Sequence, residues 1–439
     1  MSSTRRFAPS GPLRGEYVPP PDKSISHRAA LIAAMADEPV AIENYLDSAD
    51  TRSTLDALRT LGAGVDEEDG RMLIRGVGLR ELEATGGPRL DVGNSGTLMR
   101  LLPGWLAGQP GGVWTLDGDS SIRRRPVDRV VEPLRAMGAR VEARDGRYPP
   151  LTVAGGELEG IEYVLPVASA QVKSCVLLAG MLAGGQTTVV ERTPSRDHTE
   201  RMLSRARVPF EREGRTLRVH QVDELELDAV RVPGDFSSAA FVVTAATLVR
   251  GSRVVISDVG LNWTRTGFLR IAERMGAVVV GDLEAPGETS DREPVGELDV
   301  ASAPLEGTEV GPEEVPLAID ELPLVALLGA FAEGETVVRG AAELRHKESD
   351  RIAGVVEGLA GLGADITETA DGFAVRGDGA PLPGGTLDAR GDHRLAMLGA
   401  VAGLASKEGV EVVGMESAAV SYPGFEPDLG ALLRRGARG

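Results

Sequence analysis

Of the 47 lysines and arginines in the 439-residue chain only four are lysine: Lys23, Lys173, Lys347 and Lys407. Lysine is a compact charge whose pKa can be moved, so it can pass a proton as well as hold an anion. Lys23 and Lys347 stand among polar residues at helix starts. In PPPDKSISHR, Lys23, Ser24 and Arg28 put an ammonium, a hydroxyl and a guanidinium around the first turns of an apolar helix, a set able to grip phosphate or carboxylate. In RHKESDR, Lys347 and Arg351 are four positions apart. On a helix they share a face, which is unfavourable unless an anion, or the neighbouring Glu348 and Asp350, lies between them.

Further stretches of the same kind follow. GNSGTLMR (93–100) brings Asn94, Ser95, Gly96 and Thr97 ahead of an apolar run, with Arg100 one turn in, and the glycines let a ligand approach the backbone N–H groups. RRRP (123–126) fixes Arg125 at a helix entry through Pro126, IDELP (319–323) carries Asp320, and DHR (392–394) carries Asp392, His393 and Arg394. Taken singly, each is as readily a glycine turn, a solvated loop or a helix cap, and ordinary capping is expected at about two of the six apolar helix starts. Capping does not account for the cations beside the caps. No G-x-x-x-x-G-K-[ST] occurs, so a Walker nucleotide loop is excluded.

The elements that position these residues repeat. A helical stretch ending in Leu or Met, then Gly-Ala and a β-branched run, appears as LRTLGAGV (58–65), LRAMGARV (134–141), AERMGAVV (272–279) and GLAGLGADI (358–366). LSRARV (203–208) is a degraded copy and LLRRGA (432–437) a truncated one. Between them lie six helices that are apolar nearly all round, starting near Ile25, Ser95, Ser169, Ser237, Glu321 and His393. Strand-like runs such as GVWTL (112–116), RVVIS (253–257), TVVRG (336–340) and EVVGM (411–415) complete each repeat. The fold class read from this is α/β, two similar domains of three repeats each, with buried helices. The expected division is 23–234 for one domain and 1–22 plus 235–439 for the other, with the active site in the cleft between them. Six polar helix N-termini would concentrate partial positive charge and free N–H groups for an anion.

Composition limits the partners. A net charge of −19 argues against nucleic acid and anionic membrane surfaces, which demand a positive field. The single cysteine, Cys175, permits neither an intrachain disulfide nor a cysteine-cluster metal site, and fits a reducing cytoplasm. Pro9, Gly11 and Pro12 interrupt the stretch where an export signal needs apolar residues, and no apolar run reaches the roughly 18 residues that span a bilayer.

In order along the chain, DKSISHR, GNSGT-x-x-R, RRP, ASAQVKS, SRDHTE, the IDELP aspartate, KESDR and DHRLAM resemble the motifs of the 5-enolpyruvylshikimate-3-phosphate synthases, from about residue 12 to about residue 425. The resemblance implies two domains of three βαβαββ-type units and an enolpyruvyl transfer from phosphoenolpyruvate to the 5-hydroxyl of shikimate 3-phosphate, in the shikimate pathway of aromatic amino acid biosynthesis. It implies no cofactor and no metal, a monomer, and a cytoplasmic location. By motif, Lys23, Ser24, Arg28, Ser169, Ala170 through its backbone, Gln171, Arg196, Asp320 and Lys347 correspond to shikimate 3-phosphate contacts. Lys23, Gly96, Arg125, Gln171, Arg351 and Arg394 correspond to phosphoenolpyruvate contacts. Asp320 is the candidate for the hydroxyl proton, and Lys23 and Glu348 are the candidates for the proton at C3. One departure stands out: where many members have a lysine ahead of an aromatic-proline pair, this chain has Ala419, Val420 and Ser421 before Tyr422-Pro423. The sister transferases that act on a UDP-sugar carry a cysteine in a first-domain loop, and none lies near 111–126.

Overall fold

The computed structural model describes residues 3–82, 87–288 and 290–436. Contacts divide the chain into two units. The first comprises Pro21–Val232 with Thr289–Glu293, and the second comprises Met1–Pro20, Pro233–Glu288 and Pro294–Gly439. No repeat boundary marks the short Thr289–Glu293 excursion.

The first unit holds helices α1 (Lys23–Ala34), α2 (Ala49–Thr60), α3 (Gly96–Ala107), α4 (Asp128–Ala136), α5 (Ala170–Gly180) and α6 (His198–Arg205). The second holds α7 (Phe236–Leu248), α8 (Gly267–Arg274), the one-turn α9 (Val315–Ala318), α10 (Leu322–Phe331), α11 (Arg351–Gly361), α12 (His393–Ala405) and α13 (Phe425–Gly436). The apolar helices α1, α3 and α5 run through the first core, and α7, α10 and α12 through the second. In α7 every residue but Leu248 is buried. Each Leu, Val or Phe so enclosed gains about 1.5–3 kcal/mol of transfer free energy. Small residues permit the approach of α3 to α5: a Cβ on Gly104 would lie 2.4 Å from the Cys175 carbonyl oxygen.

Sheet topology repeats with the helices. In the second repeat, strands Arg89–Asp91 and Val113–Asp117 pair in parallel, Tyr148–Ala154 pairs antiparallel to the latter, and Arg140–Arg144 takes the edge. With α3 and α4 in the connections this is a βαβαββ unit. The same order recurs in the repeats built around α5 and α10. Two repeats borrow their first strand. Ala229–Arg231 supplies it beside Val40–Glu43 in the first unit, and Arg14–Tyr17 supplies it beside Arg253–Gly260 in the second. The last repeat is a three-stranded sheet completed by Thr4–Phe7.

Capping is more general than about two in six. Asp22, Ser95, Ser169, Asp235 and Asp392 each accept from a backbone N–H of the first turn of their apolar helix, and only α10 starts without a side-chain cap. Such a cap satisfies one of the four orphan N–H groups and leaves the others to a ligand or water.

Candidate active site

In the first unit the N-termini of α1, α3 and α5 are knitted together. His27 reaches Thr54 Oγ1 of α2 at 2.6 Å through Nδ1 and Ser95 Oγ, the α3 cap, at 3.4 Å through Nε2. Burial is the main force that lowers its pKa to about 3, so the imidazole is neutral. Arg28 donates from Nε to Thr199 Oγ1 (2.8 Å), from Nη2 to Ser174 Oγ (3.2 Å) and from Nη1 to the Ser24 carbonyl (3.0 Å), tying α1 to α5 and α6. Gln171, on the first turn of α5, donates to Thr97 Oγ1 at 3.2 Å and accepts from Arg100 Nη1 at 3.3 Å.

Around these ends the charge is positive. Lys23 Nζ is 3.0 Å from Asp50 Oδ2 at the start of α2. Gly96 opens α3, and a Cβ there would fall 2.9 Å from Arg100 Nη1 and 3.1 Å from Arg125 Nη1, so any side chain at this position displaces the two guanidinium ends. Arg125 is aimed by Asn94 Oδ1 (2.8 Å) and Ser121 Oγ (3.1 Å). The Arg28 guanidinium, fully buried, has its pKa pulled down to about 10, first by desolvation and then by repulsion from Arg196. Two guanidiniums held close enough to oppose each other favour an anion as a third party.

The second unit gathers the other candidates. Asp320 Oδ1 faces Arg351 Nη1 at 3.2 Å and Lys347 Nζ at 3.5 Å, while Oδ2 is 3.6 Å from Arg394 Nη2. Arg351, 1% exposed, also reaches Asp392 (2.8 Å) and Glu348 (2.5 Å). Burial acts to lower its pKa, but Asp392, Glu348 and Asp320 together hold it above the ordinary value. Burial would raise the Asp392 pKa, and the pairing with Arg351 brings it below the usual carboxylate range.

The helical relation expected of Lys347 and Arg351 is absent. Asp350 caps α11 by accepting from Ala353 N at 3.1 Å, so the helix begins at Arg351 and Lys347 lies outside it. The two cations meet through Asp320 instead.

The chain is similar to known proteins over nearly its whole length. The family model described as EPSP synthase (3-phosphoshikimate 1-carboxyvinyltransferase) matches residues 7–429. The chain belongs to the EPSP synthase family. It is 48% identical to the 3-phosphoshikimate 1-carboxyvinyltransferase of Thermus thermophilus over 428 residues, 97% of each chain. Against that of Acidithiobacillus ferrooxidans it is 48% identical over 418 residues, 95% of each. Among solved structures, EPSP synthase from Acinetobacter baumannii superposes with a TM-score of 0.85 at 38% identity, covering 98% of both chains. The enolpyruvyl transferase NikO from Streptomyces tendae shares the fold, with a TM-score of 0.76 at 21% identity over 97% of this chain and 96% of its own.

Set against the family motifs, the structure brings Lys23, Ser24, Arg28, Gly96, Ser169, Ala170 and Gln171 to three linked helix ends, with Arg125 beside Gly96 and Arg196 electrostatically close to Arg28. Asp320, Lys347, Glu348, Arg351 and Arg394 form the second cluster. Sequence reasoning passed over Arg265, which is buried and donates to Ser237 Oγ at 2.6 Å, 3.6 Å from Asp235 and 4.0 Å from Glu321. A signal was available. Arg125, Arg196 and Lys347 all lie in the connection before the second helix of their repeats, and Arg265 occupies that place before α8. Tyr422, where the missing lysine would precede, is buried; its hydroxyl pairs with that of Tyr17 (2.6 Å) and donates to Asp428 (2.7 Å). Among the described residues no group of three His, Cys, Asp or Glu side chains is disposed to hold a metal ion, and no helix is long and apolar enough to cross a membrane.

Proposed function

We propose that this chain transfers the enolpyruvyl group of phosphoenolpyruvate to the 5-hydroxyl of shikimate 3-phosphate and releases phosphate, the activity named for its Thermus and Acidithiobacillus relatives. The observation that carries the assignment is Asp320, a carboxylate with cations on both oxygens. In a site for anion capture alone such a group competes with the ligand for the cations, whereas an acceptor hydroxyl needs a base.

In the first step the acceptor O5 attacks C2 of phosphoenolpyruvate, its proton passes to Asp320, and C3 gains a proton from Lys23 or Glu348. The tetrahedral adduct then loses a proton from C3 as the C2–O bond to phosphate breaks. In the first unit, Lys23, Ser24, Arg28, Ser169, the Ala170 backbone, Gln171 and Arg196 bind shikimate 3-phosphate, and Lys23, Gly96, Arg125 and Gln171 bind phosphoenolpyruvate. In the second, Asp320 and Lys347 serve the acceptor, while Arg351 and Arg394 hold the carboxylate and phosphate of the donor where charge shifts. The assignment takes the chain as a monomer working on small molecules in the cytoplasm, in aromatic amino acid biosynthesis.

Phosphate release is to be measured with phosphoenolpyruvate and either shikimate 3-phosphate or UDP-N-acetylglucosamine. Turnover with shikimate 3-phosphate alone is expected. Turnover with the UDP-sugar alone would move the chain to the sister reaction, and none with either would remove the catalytic role.

A further inference from the structure

Lys173 of α5 is completely buried, and none of the proposed ligand contacts uses it. Its Nζ lies 3.0 Å from Glu191 Oε1 and 2.6 Å from Glu200 Oε1, both carboxylates being buried too, and it donates to the Ser195 carbonyl at 3.3 Å. Glu191 Oε1 accepts from the Ser195 backbone N–H at 3.1 Å and from Ser195 Oγ at 2.6 Å. Every polar atom of Ser195 is therefore held by this buried set.

Burying an ammonium between two carboxylates is costly, and apolar packing of similar volume is often as stable. Fold stability alone does not explain the arrangement. What it does fix is the path of one turn. The residue after Ser195 is Arg196, and three further on Thr199 Oγ1 accepts from Arg28 Nε at 2.8 Å and meets Ser174 Oγ at 2.6 Å. Asp197, between them, is gripped by Arg201 at 3.0 Å, with Arg212 3.8 Å away and 3.9 Å from Glu191. The two stretches S-A-Q-V-K-S and S-R-D-H-T-E are thus joined by the Lys173–Glu200 ion pair and by the Lys173–Ser195 and Ser174–Thr199 hydrogen bonds. Burial acts against the Lys173 charge, but Glu200 and Glu191 outweigh it and raise its pKa, so the ammonium persists.

We propose that Lys173, with Glu191 and Glu200, is a positioning residue that sets Arg196 for the shikimate 3-phosphate acceptor without touching either substrate. This rests on the assignment of Arg196 to that ligand. Wild type is assayed first with shikimate 3-phosphate; no turnover there would remove the assigned function and this proposal with it.

With activity present, Lys173→Met is expected to lower kcat/KM for shikimate 3-phosphate by about 10²-fold, the cost of a misplaced binding group, while the KM for phosphoenolpyruvate stays unchanged. In an Arg196→Ala background the same substitution should cost nothing further, because the two act as one unit. A merely structural role predicts equal losses for both substrates and full additivity with Arg196→Ala, and either result overturns the proposal. Folding is checked by near-UV circular dichroism. If Lys173→Met does not fold, Ser195→Ala decides: it deletes one hydrogen bond to Glu191 without stranding a charge and should raise the KM for shikimate 3-phosphate about fivefold. An unchanged KM in that variant refutes the positioning role.

Discussion

The imidazole of His27 joins α1 to α2 and α3 from a site only 2% exposed, and its folded-state pKa of about 3 lies far below the ordinary 6.5. Desolvation is the main cause. Asp50 and Asp22 oppose the shift, while Lys23 and Arg28 add to it. In the unfolded chain the ring titrates near its ordinary value, so between pH 7 and pH 5 the unfolded state takes up a proton that the folded unit refuses. Because the folded pKa is the lower one, the stabilisation is complete above about pH 6.5 and falls away as pH drops toward 3. Linkage puts the loss from pH 7 to pH 5 at about 2 kcal/mol, and that figure depends on the unfolded pKa as long as the folded one stays well under 5. The assay is urea unfolding of a Trp263→Phe parent, read by Trp105 and Trp114, both fully buried in the first unit. His27→Asn removes the titration and keeps a polar group near Nδ1. The variant should be less stable than its parent at pH 7, and the gap should narrow by about 2 kcal/mol at pH 5. A gap of equal size at both pH values would refute a neutral, water-excluded imidazole.

Asp320→Asn keeps the shape of the side chain but loses the base, so turnover should fall by about 10²–10⁴ while binding of both ligands changes far less; near-normal turnover would remove Asp320 from the chemistry. Gly96→Ala places a methyl against Arg100 and Arg125, whose flexible ends swing aside at little cost to folding. The KM for phosphoenolpyruvate should then rise by about 10–10²-fold with little change for shikimate 3-phosphate, and an unchanged KM would show that Arg125 does not bind the donor. Cys175 is wholly buried and its thiol pKa is pushed up by burial, which makes it packing and not a nucleophile. Cys175→Ala should retain turnover at a cost of about 1 kcal/mol in urea unfolding, and a folded but inactive variant would reopen a thiol mechanism.

The apolar helices were legible because no polar stripe interrupts them, and the caps of five are visible as Asp or Ser before the run. The α/β class follows from the recurrence of apolar helices and strand-like runs, with a Gly-Ala turn closing the second helix in the four full copies of the repeat and lost in LSRARV. Side-chain geometry at the ends was less legible. The spacing of Lys347 and Arg351 suggests a shared face, but Asp350 takes the cap position and starts the helix only at Arg351, which leaves Lys347 outside it. Arg265 was hidden because N-W-T-R carries no second cation or glycine to draw attention, and only its place before α8 aligns it with Arg125, Arg196 and Lys347. Lys173 was visible as a rare lysine, yet its partners Glu191 and Glu200 come from a strand end and another helix, so no local pattern could reveal them.

The borrowed strands impose a timetable on synthesis. Arg14–Tyr17 must lie beside Arg253–Gly260, and Leu13 donates to Ser252 Oγ across 239 positions of sequence. As the chain leaves the ribosome, these first strands have no partner until the whole of Pro21–Val232 has followed. That intervening segment closes its own first repeat with Ala229–Arg231 and can collapse as soon as this strand emerges. The residues of these strands are thus made long before they can find their place. Their short, charged strands, with Arg5, Arg6, Arg14 and Glu16 exposed, suit a segment that must wait in water without sticking to its neighbours.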